Sequence, residues 1–354
     1  MEASAETGLL LWCRAGFESE CAQEIQYCVA GQHRVAGAGQ ACAVRTERGS
    51  GMVRCLPQDG ALAVPDWRSL IYARAVLRVL GELRDLDPKD RLGPALALAG
   101  RDGARYAEVW VEAPDSEGGE DLRGLARGLE AAALAAMRKR GLLDRAAPLR
   151  LHLCLASGTA MTVASARIDG SAPWPGGIPR LKLLREAPSR SALKIEEAWL
   201  ILLDESERAS WLRPGMSAVD LGAAPGGWTW QLARHGLRVT AVDNGPLAPQ
   251  VLAMDAVEHL RADGFRYRPR KPVDWVVCDM VEQPIRVAAL MGEWLAQGHA
   301  RAALFNLKLP MKKRWEETQR CLGLLDDALG GRHALRAKQL YHDREEITVI
   351  ALPV

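Results

Sequence analysis

Apolar and polar positions change period along the chain, and each change marks a predicted element. Leu9–Arg14 is a short apolar run read as a strand, and Glu18–Ala30 carries a helical pattern. His33–Val44 and Gly51–Cys55 alternate as half-buried strands do. Leu70–Leu80 is rich in Ala, Val and Leu, Tyr106–Glu112 alternates again, and Gly118-Gly119 marks a turn. Asp121–Gly141 then repeats Leu125, Leu129, Ala132, Leu134 and Met137 at helical spacing, which predicts an amphipathic helix. Leu149–Leu155 and Ala160–Ile168 read as paired strands joined through Ser157-Gly158. The first part of the chain is therefore α+β and built of small units.

The segment SAPWPGGIP, residues 171–179, is the clearest punctuation in the chain and predicts a boundary. Beyond it the period changes. Ser189 and Ser191 are placed to cap a helix from about Arg190 to Ala209, with Glu196 and Glu197 near its positive end. Short apolar runs at Ala218–Leu221, Arg238–Val242, Trp275–Asp279 and Ala303–Lys308 then alternate with helical stretches, which implies a parallel, doubly wound sheet. Ala337–Tyr341 and Glu346–Pro353 read as a terminal hairpin.

Composition narrows the class. The chain has 354 residues, 48% of them hydrophobic, enough for two or three domains with real cores, and is not a disordered polymer. Its net charge of +2 excludes a histone-like polycation but leaves room for a local basic surface. From Ser171 onward there are 25 basic and 22 acidic residues, leaving 21 and 22 before it, so neither part is a polycation. The eight cysteines form no C-x-x-C pair and match no common zinc spacing, which favours buried thiols in a reducing compartment and no bound metal. Met1–Arg14 lacks the basic start and long apolar run of a secretory signal, and no segment approaches the roughly 18 apolar residues of a membrane span. These features point to a cytoplasmic protein with no membrane partner.

The sharpest local signal is AVDLGAAPGGWT, Ala218–Thr229, in which a strand feeds a glycine-containing loop and then a helix. Such a loop lets a ligand approach the backbone, and the helix terminus favours polar groups. Gly222 and Gly227 occupy the outer positions of a dinucleotide fingerprint, but Ala224 and Pro225 stand where the middle glycine admits a pyrophosphate. The loop suits a nucleoside without phosphates. Asp243 closes the next strand, where a carboxylate accepts ribose hydroxyls, and Asp263 follows the next segment, where an adenine amino group would lie.

Asp279 and Lys308 both end apolar strands at the same carboxyl edge. A lysine there is costly unless paired or functional. Lys194 lies one turn into the helix after the boundary, and Glu346 opens the last strand. Basic residues cluster at Arg266, Arg268, Arg270 and Lys271, and again at Lys312, Lys313 and Arg314 just beyond Lys308. The second cluster borders the expected active mouth and is the better candidate for phosphate contact.

Lys194, Asp279, Lys308 and Glu346 resemble the K-D-K-E tetrad of the Rossmann-type ribose 2′-O-methyltransferases, with Glu345 an alternative fourth member, and DLGAAPGGWT resembles their cofactor loop. More narrowly, APSRSALKIEEAW, VDNGPLA, CDMVEQP, FNLKLPMKKRWEE and LYHDREEITV are similar to the bacterial 23S rRNA cytidine 2′-O-methyltransferases. Upstream, LLLWCRAGFESECAQEI, SLIYAR and GIPRLK extend the resemblance over essentially the whole chain. It implies a ferredoxin-like α+β segment at 1–60, a THUMP RNA-binding module at 61–170, a linker at 171–188 and a Rossmann-like methyltransferase domain at 189–354. It also implies S-adenosylmethionine held by Ser191, Ala224, Pro225, Gly226, Gly227, Asp243, Asp263 and Asp279. Lys308 would be the general base, its pKa lowered by burial and by the neighbouring Lys194 cation. Asp279 would orient Lys308, and Glu346 would orient Lys194. The implied partner is 23S rRNA or a large-subunit precursor, with no obligatory protein partner. Retention of both lysines and both acids argues against the alternative, a non-catalytic RNA-binding or assembly factor that keeps the cofactor pocket.

Overall fold

The computed structural model describes residues 8–31, 41–116 and 119–354. Residues 33–40 of the predicted second strand, Gly118 of the predicted turn and the first seven residues of the region tested for a signal lie outside the described residues. The chain forms two compact units, Met1–Ile178 and Pro179–Val354, divided within the Pro/Gly-rich segment.

The first unit contains β1 (Leu9–Trp12), α1 (Glu18–Val29), β2 (Cys42–Thr46), β3 (Met52–Pro57), β4 (Ala75–Leu83), α2 (Leu92–Ala99), β5 (Glu108–Glu112), α3 (Gly119–Lys139), β6 (Leu149–Ser157) and β7 (Ala160–Arg167). Its strands form one sheet in the order β2-β3-β1-β4-β7-β6-β5. β1 sits between β3 and β4, so hydrogen bonding continues across residue 60 within a single sheet. Ala126, Ala133 and Met137 of α3 pack with Leu96, Tyr106, Leu151, Leu153 and Val163 into one core. Of the stripe expected from the spacing, Met137 is buried, Leu125, Leu129 and Leu134 are half-buried beside that core, and Ala132 is exposed, so the buried face is turned by one residue. Glu24, buried in α1, accepts the backbone N–H groups of Ile71 and Tyr72, which accounts for a charged residue on that helix's inner face.

The second unit contains α4 (Ala192–Leu202), α5 (Glu205–Trp211), β8 (Ser217–Leu221), α6 (Gly227–Arg234), β9 (Arg238–Val242), α7 (Pro249–Leu252), β10 (Val257–Leu260), β11 (Val273–Cys278), α8 (Pro284–Ala296), β12 (Ala300–Lys308), α9 (Arg314–Leu329), β13 (His333–Lys338) and β14 (Glu346–Pro353). The strand order is β10-β9-β8-β11-β12-β14-β13. β10, β9, β8, β11 and β12 run parallel, and β14 is antiparallel to both its neighbours. The central strands are buried along nearly their whole length, as strands covered on both faces must be. The order reverses between β8 and β11, and in such sheets the crevice beyond the strand ends at the reversal is where ligands sit.

Three expectations need correction here. The helix expected over Arg190–Ala209 is two helices. Leu203 is extended, and Asp204 starts α5 with a capping box in which its carboxylate accepts from Glu207 N while Glu207 reaches back to Asp204 N. Nor does Ser191 cap α4; its hydroxyl instead pairs with that of Ser189 at 2.7 Å. Glu197 is not a dipole-facing surface charge either. It is buried and accepts the backbone N–H groups of Tyr341 and His342, tying the helix of Lys194 to the loop before β14. All eight cysteines are free thiols, and Cys42 alone is more than marginally exposed. Among the described residues, no helix is long and apolar enough to cross a membrane.

Candidate active site

The glycine loop leaves β8 at the reversal point of the sheet. Gly222 and Gly226 have φ of 74° and 107°, conformations that L side chains rarely adopt. A Cβ on Gly222 would fall 2.2 Å from Met280 Cγ, and one on Gly227 would fall 2.1 Å from Ser191 Oγ. Side-chain-free backbone is therefore required at 222 and 227 to bring the loop against β11's end and the start of α4. Asp220, fully buried in β8, accepts from Thr229 Oγ1 at 2.6 Å and so ties the strand to the first turn of α6. Burial pushes its carboxyl up to about 7, against the opposing effect of the Thr229 hydrogen bond.

At the end of β9, Asp243 accepts Ala224 N at 2.9 Å through one oxygen and Gly245 N at 2.7 Å through the other. Each carboxylate oxygen keeps a lone pair for a further donor. Asp263 lies beyond β10, half exposed, with Phe265 N on one oxygen at 2.9 Å. The residues fit a nucleoside cofactor. Gly226 carries no side chain to cap α6, which leaves the loop side of the helix start open to a ligand, and Asp243 faces the same loop.

The four charged residues converge on the adjoining strand ends. Asp279 follows β11. Its Oδ1 accepts from Lys308 Nζ at 2.5 Å and from Asn306 Nδ2 at 2.8 Å, and its Oδ2 accepts from Lys194 Nζ at 3.4 Å. Glu346 accepts from Lys194 Nζ through Oε1 and from Lys308 Nζ through Oε2. Two cations thus alternate with two anions in a closed ring. The four side chains are 6–21% exposed, and mutual pairing makes that burial tolerable. Glu345 takes no part; its carboxylate pairs with Arg314.

The charge state of Lys308 differs from the expectation. Burial does push its pKa down, but the carboxylates of Asp279 and Glu346 outweigh burial and hold it above its ordinary value. The sequence revealed the neighbouring Lys194 cation and not that both acids would touch Lys308 directly.

Of the basic clusters, Lys312 and Lys313 are exposed beside the site, with Lys313 in the left-handed region at φ 59° just before α9. Arg314 does not belong with them, because Glu345 already neutralises it and only 13% of its side chain is exposed. In the other cluster, Arg268 bonds Glu293 at 2.8 Å and lies against the Trp294 ring, whereas the Arg266 side chain is 89% exposed. Sequence reading missed Asp220, Asn306, Thr348 and Asp343, and it read Glu197 only as a charge near a helix start. The N-x-K of β12 and E-x-T of β14 carried a period-2 signal for two of them, legible only once the strands are paired.

This strand order, glycine loop and ring of two lysines and two acids define a methyltransferase of the FtsJ-like class. The FtsJ-like methyltransferase family matches residues 187–310, and the RlmM ferredoxin-like domain family matches residues 7–77. The ribosomal RNA large subunit methyltransferase M of Xanthomonas campestris pv. campestris is 53% identical over 98% of this chain and 99% of its own length. That of Xanthomonas axonopodis pv. citri is likewise 53% identical over the same shares. The chain belongs to the ribosomal RNA large subunit methyltransferase M family.

Proposed function

We propose that the protein methylates the ribose 2′-oxygen of a cytidine in 23S rRNA, using S-adenosylmethionine. The observation that carries this reading is the closed ring of Lys194, Asp279, Lys308 and Glu346 beside the glycine loop. When bound, the cofactor supplies an electrophilic methyl group on a sulfonium. Gly226, Gly227 and the loop backbone would hold its polar end, Asp243 would accept its ribose hydroxyls, and Asp263 would take the adenine side. Ser191 borders the same loop.

A ribose hydroxyl is a weak nucleophile, so its proton must leave as the new oxygen–carbon bond forms and the carbon–sulfur bond breaks. Lys308 takes that proton. It must first lose its own proton to solvent, a step that any added positive charge beside Asp279 would favour by loosening that carboxylate's hold on Lys308. Lys194 positions the ribose or its phosphate, Glu346 holds both lysines at a common spacing, and alignment of oxygen with methyl supplies much of the remaining rate. Lys312 and Lys313 contact phosphates, and the segments 1–60 and 61–170, ferredoxin-like and THUMP-type, add affinity through RNA shape and backbone. Such an enzyme works in the cytoplasm.

The test incubates the protein with S-adenosylmethionine and unmodified 23S rRNA and maps methylation. One cytidine whose 3′ phosphodiester becomes resistant to alkali is the expected result. Methyl transfer to a base refutes the mechanism, and tight RNA binding without transfer favours the assembly-factor reading.

A further inference from the structure

Behind the four charged residues lies a second set of polar groups that the tetrad does not account for. Asn306, Thr348 and Asp343 are all within 1% of complete burial, the first two on strands whose neighbouring residues Phe305, Leu307, Ile347 and Val349 are buried and apolar. Asn306 and Thr348 are directly opposed on β12 and β14, two residues along from the Lys308–Glu346 pair and therefore on the same face.

Counting protons orders these groups. Asn306 Nδ2 donates to Asp279 Oδ1 at 2.8 Å, which leaves its carbonyl oxygen to accept from Thr348 Oγ1 at 2.7 Å. A threonine hydroxyl has one proton, and that proton is now committed. Yet Thr348 Oγ1 also lies 3.1 and 3.3 Å from the two oxygens of Asp343, one of which already accepts Leu340 N at 3.0 Å. An ionised Asp343 would set lone pairs against lone pairs in the interior.

Resting on the reading of Asp279 and Lys308 as catalytic partners, we propose that Asp343 is a protonated carboxyl heading a one-way hydrogen-bond chain, Asp343 to Thr348 to Asn306 to Asp279, whose role is to position Asp279 for Lys308. Burial acts in the same direction, raising the Asp343 pKa well above its ordinary value. Glu346 and Glu197 add to this, against the opposing charge of Lys194. Asp343 touches neither cofactor nor ribose in this scheme. It fixes the Asn306 amide so that N–H, and not C=O, faces Asp279; a flipped amide would repel that carboxylate and move it off Lys308.

Infrared spectroscopy of the whole protein at neutral pH, alongside methylation kinetics, tests the chain. Asp343→Asn should remove a protonated-carboxyl C=O band distinct from the one lost in Asp220→Asn. Thr348→Val should lower kcat roughly tenfold or more, with KM for RNA within about twofold, and Thr348→Ser should restore it. Asp343→Asn, a neutral side chain able to donate to Thr348, should keep kcat roughly tenfold above that of Asp343→Ala. An unchanged band in Asp343→Asn, or wild-type kcat in Thr348→Val, overturns the proposal. Absence of ribose methylation by the wild type would instead refute the catalytic reading, and the infrared band would still decide the protonation of Asp343.

Discussion

Lys308 and Glu346 stand directly opposite one another on the antiparallel strands β12 and β14, and their side chains close an ion pair across the ladder. Cross-strand opposition fixes their spacing through backbone hydrogen bonds, before any substrate arrives. Residues that end two strands far apart in sequence thereby become one catalytic unit with Asp279 and Lys194.

Removing the base should separate chemistry from binding. Lys308→Ala is expected to lower the methylation rate by roughly 10²- to 10⁴-fold, with S-adenosylhomocysteine affinity retained in calorimetry. Retained turnover would exclude Lys308 as the proton acceptor.

The elevated pKa of Lys308 sets the pH dependence. A base that is protonated in the free enzyme makes kcat/KM climb with pH. Log kcat/KM should therefore rise with unit slope from about pH 6 to about pH 9. Glu346→Gln removes one of the two carboxylates that raise the pKa, so the rising limb should move to lower pH even as the maximal rate falls. A limb that stays in place would show that Glu346 does not set the charge of Lys308.

Much of this site was legible in the sequence, and the exceptions have physical causes. Asp279 and Lys308 stood out because charges at the ends of apolar strands need a reason, whereas Lys194 on a helix and Glu346 at the start of a strand were singled out only by the resemblance to a K-D-K-E tetrad; all four do meet. β10 was not foreseen as a strand because Val257–Leu260 is neither apolar nor cleanly alternating, and it is held at the sheet edge by parallel pairing with β9. The break between α4 and α5 was written in Asp204 and Glu207, a capping pair hidden inside a continuous helical period. Asn306 and Thr348 acquire meaning only from strand register, which a single sequence does not display.

Buried Asp220 predicts a pH-dependent stability. Its pKa is raised from 3.8 to about 7, so between these values the folded chain keeps a proton that the unfolded chain has lost. The stabilisation is complete below the unfolded pKa and is lost as pH rises through the folded one. Asp220→Asn keeps an acceptor for Thr229 and does not titrate. Relative to wild type it should gain up to ~4 kcal/mol in chemical denaturation between acid and mildly alkaline pH. Parallel stability curves for the two proteins would refute this.

Lys312 and Lys313 are exposed, whereas Arg314 is paired with Glu345. Replacing both lysines with Glu should weaken RNA binding more at low than at high salt, lowering the slope of log K against log salt by roughly 1 to 2. Arg314→Ala should leave that slope in place. Equal losses for the lysine variant at both salt concentrations would contradict a phosphate contact.

The central claim is that the acceptor is a ribose oxygen. The most direct measurement compares methyl transfer to a 23S rRNA fragment with transfer to the same fragment carrying a single 2′-deoxycytidine at the modified position. The account predicts transfer to the first and none to the second, because only the nucleophile has been removed. Equal transfer to both would place the methyl group elsewhere and contradict it.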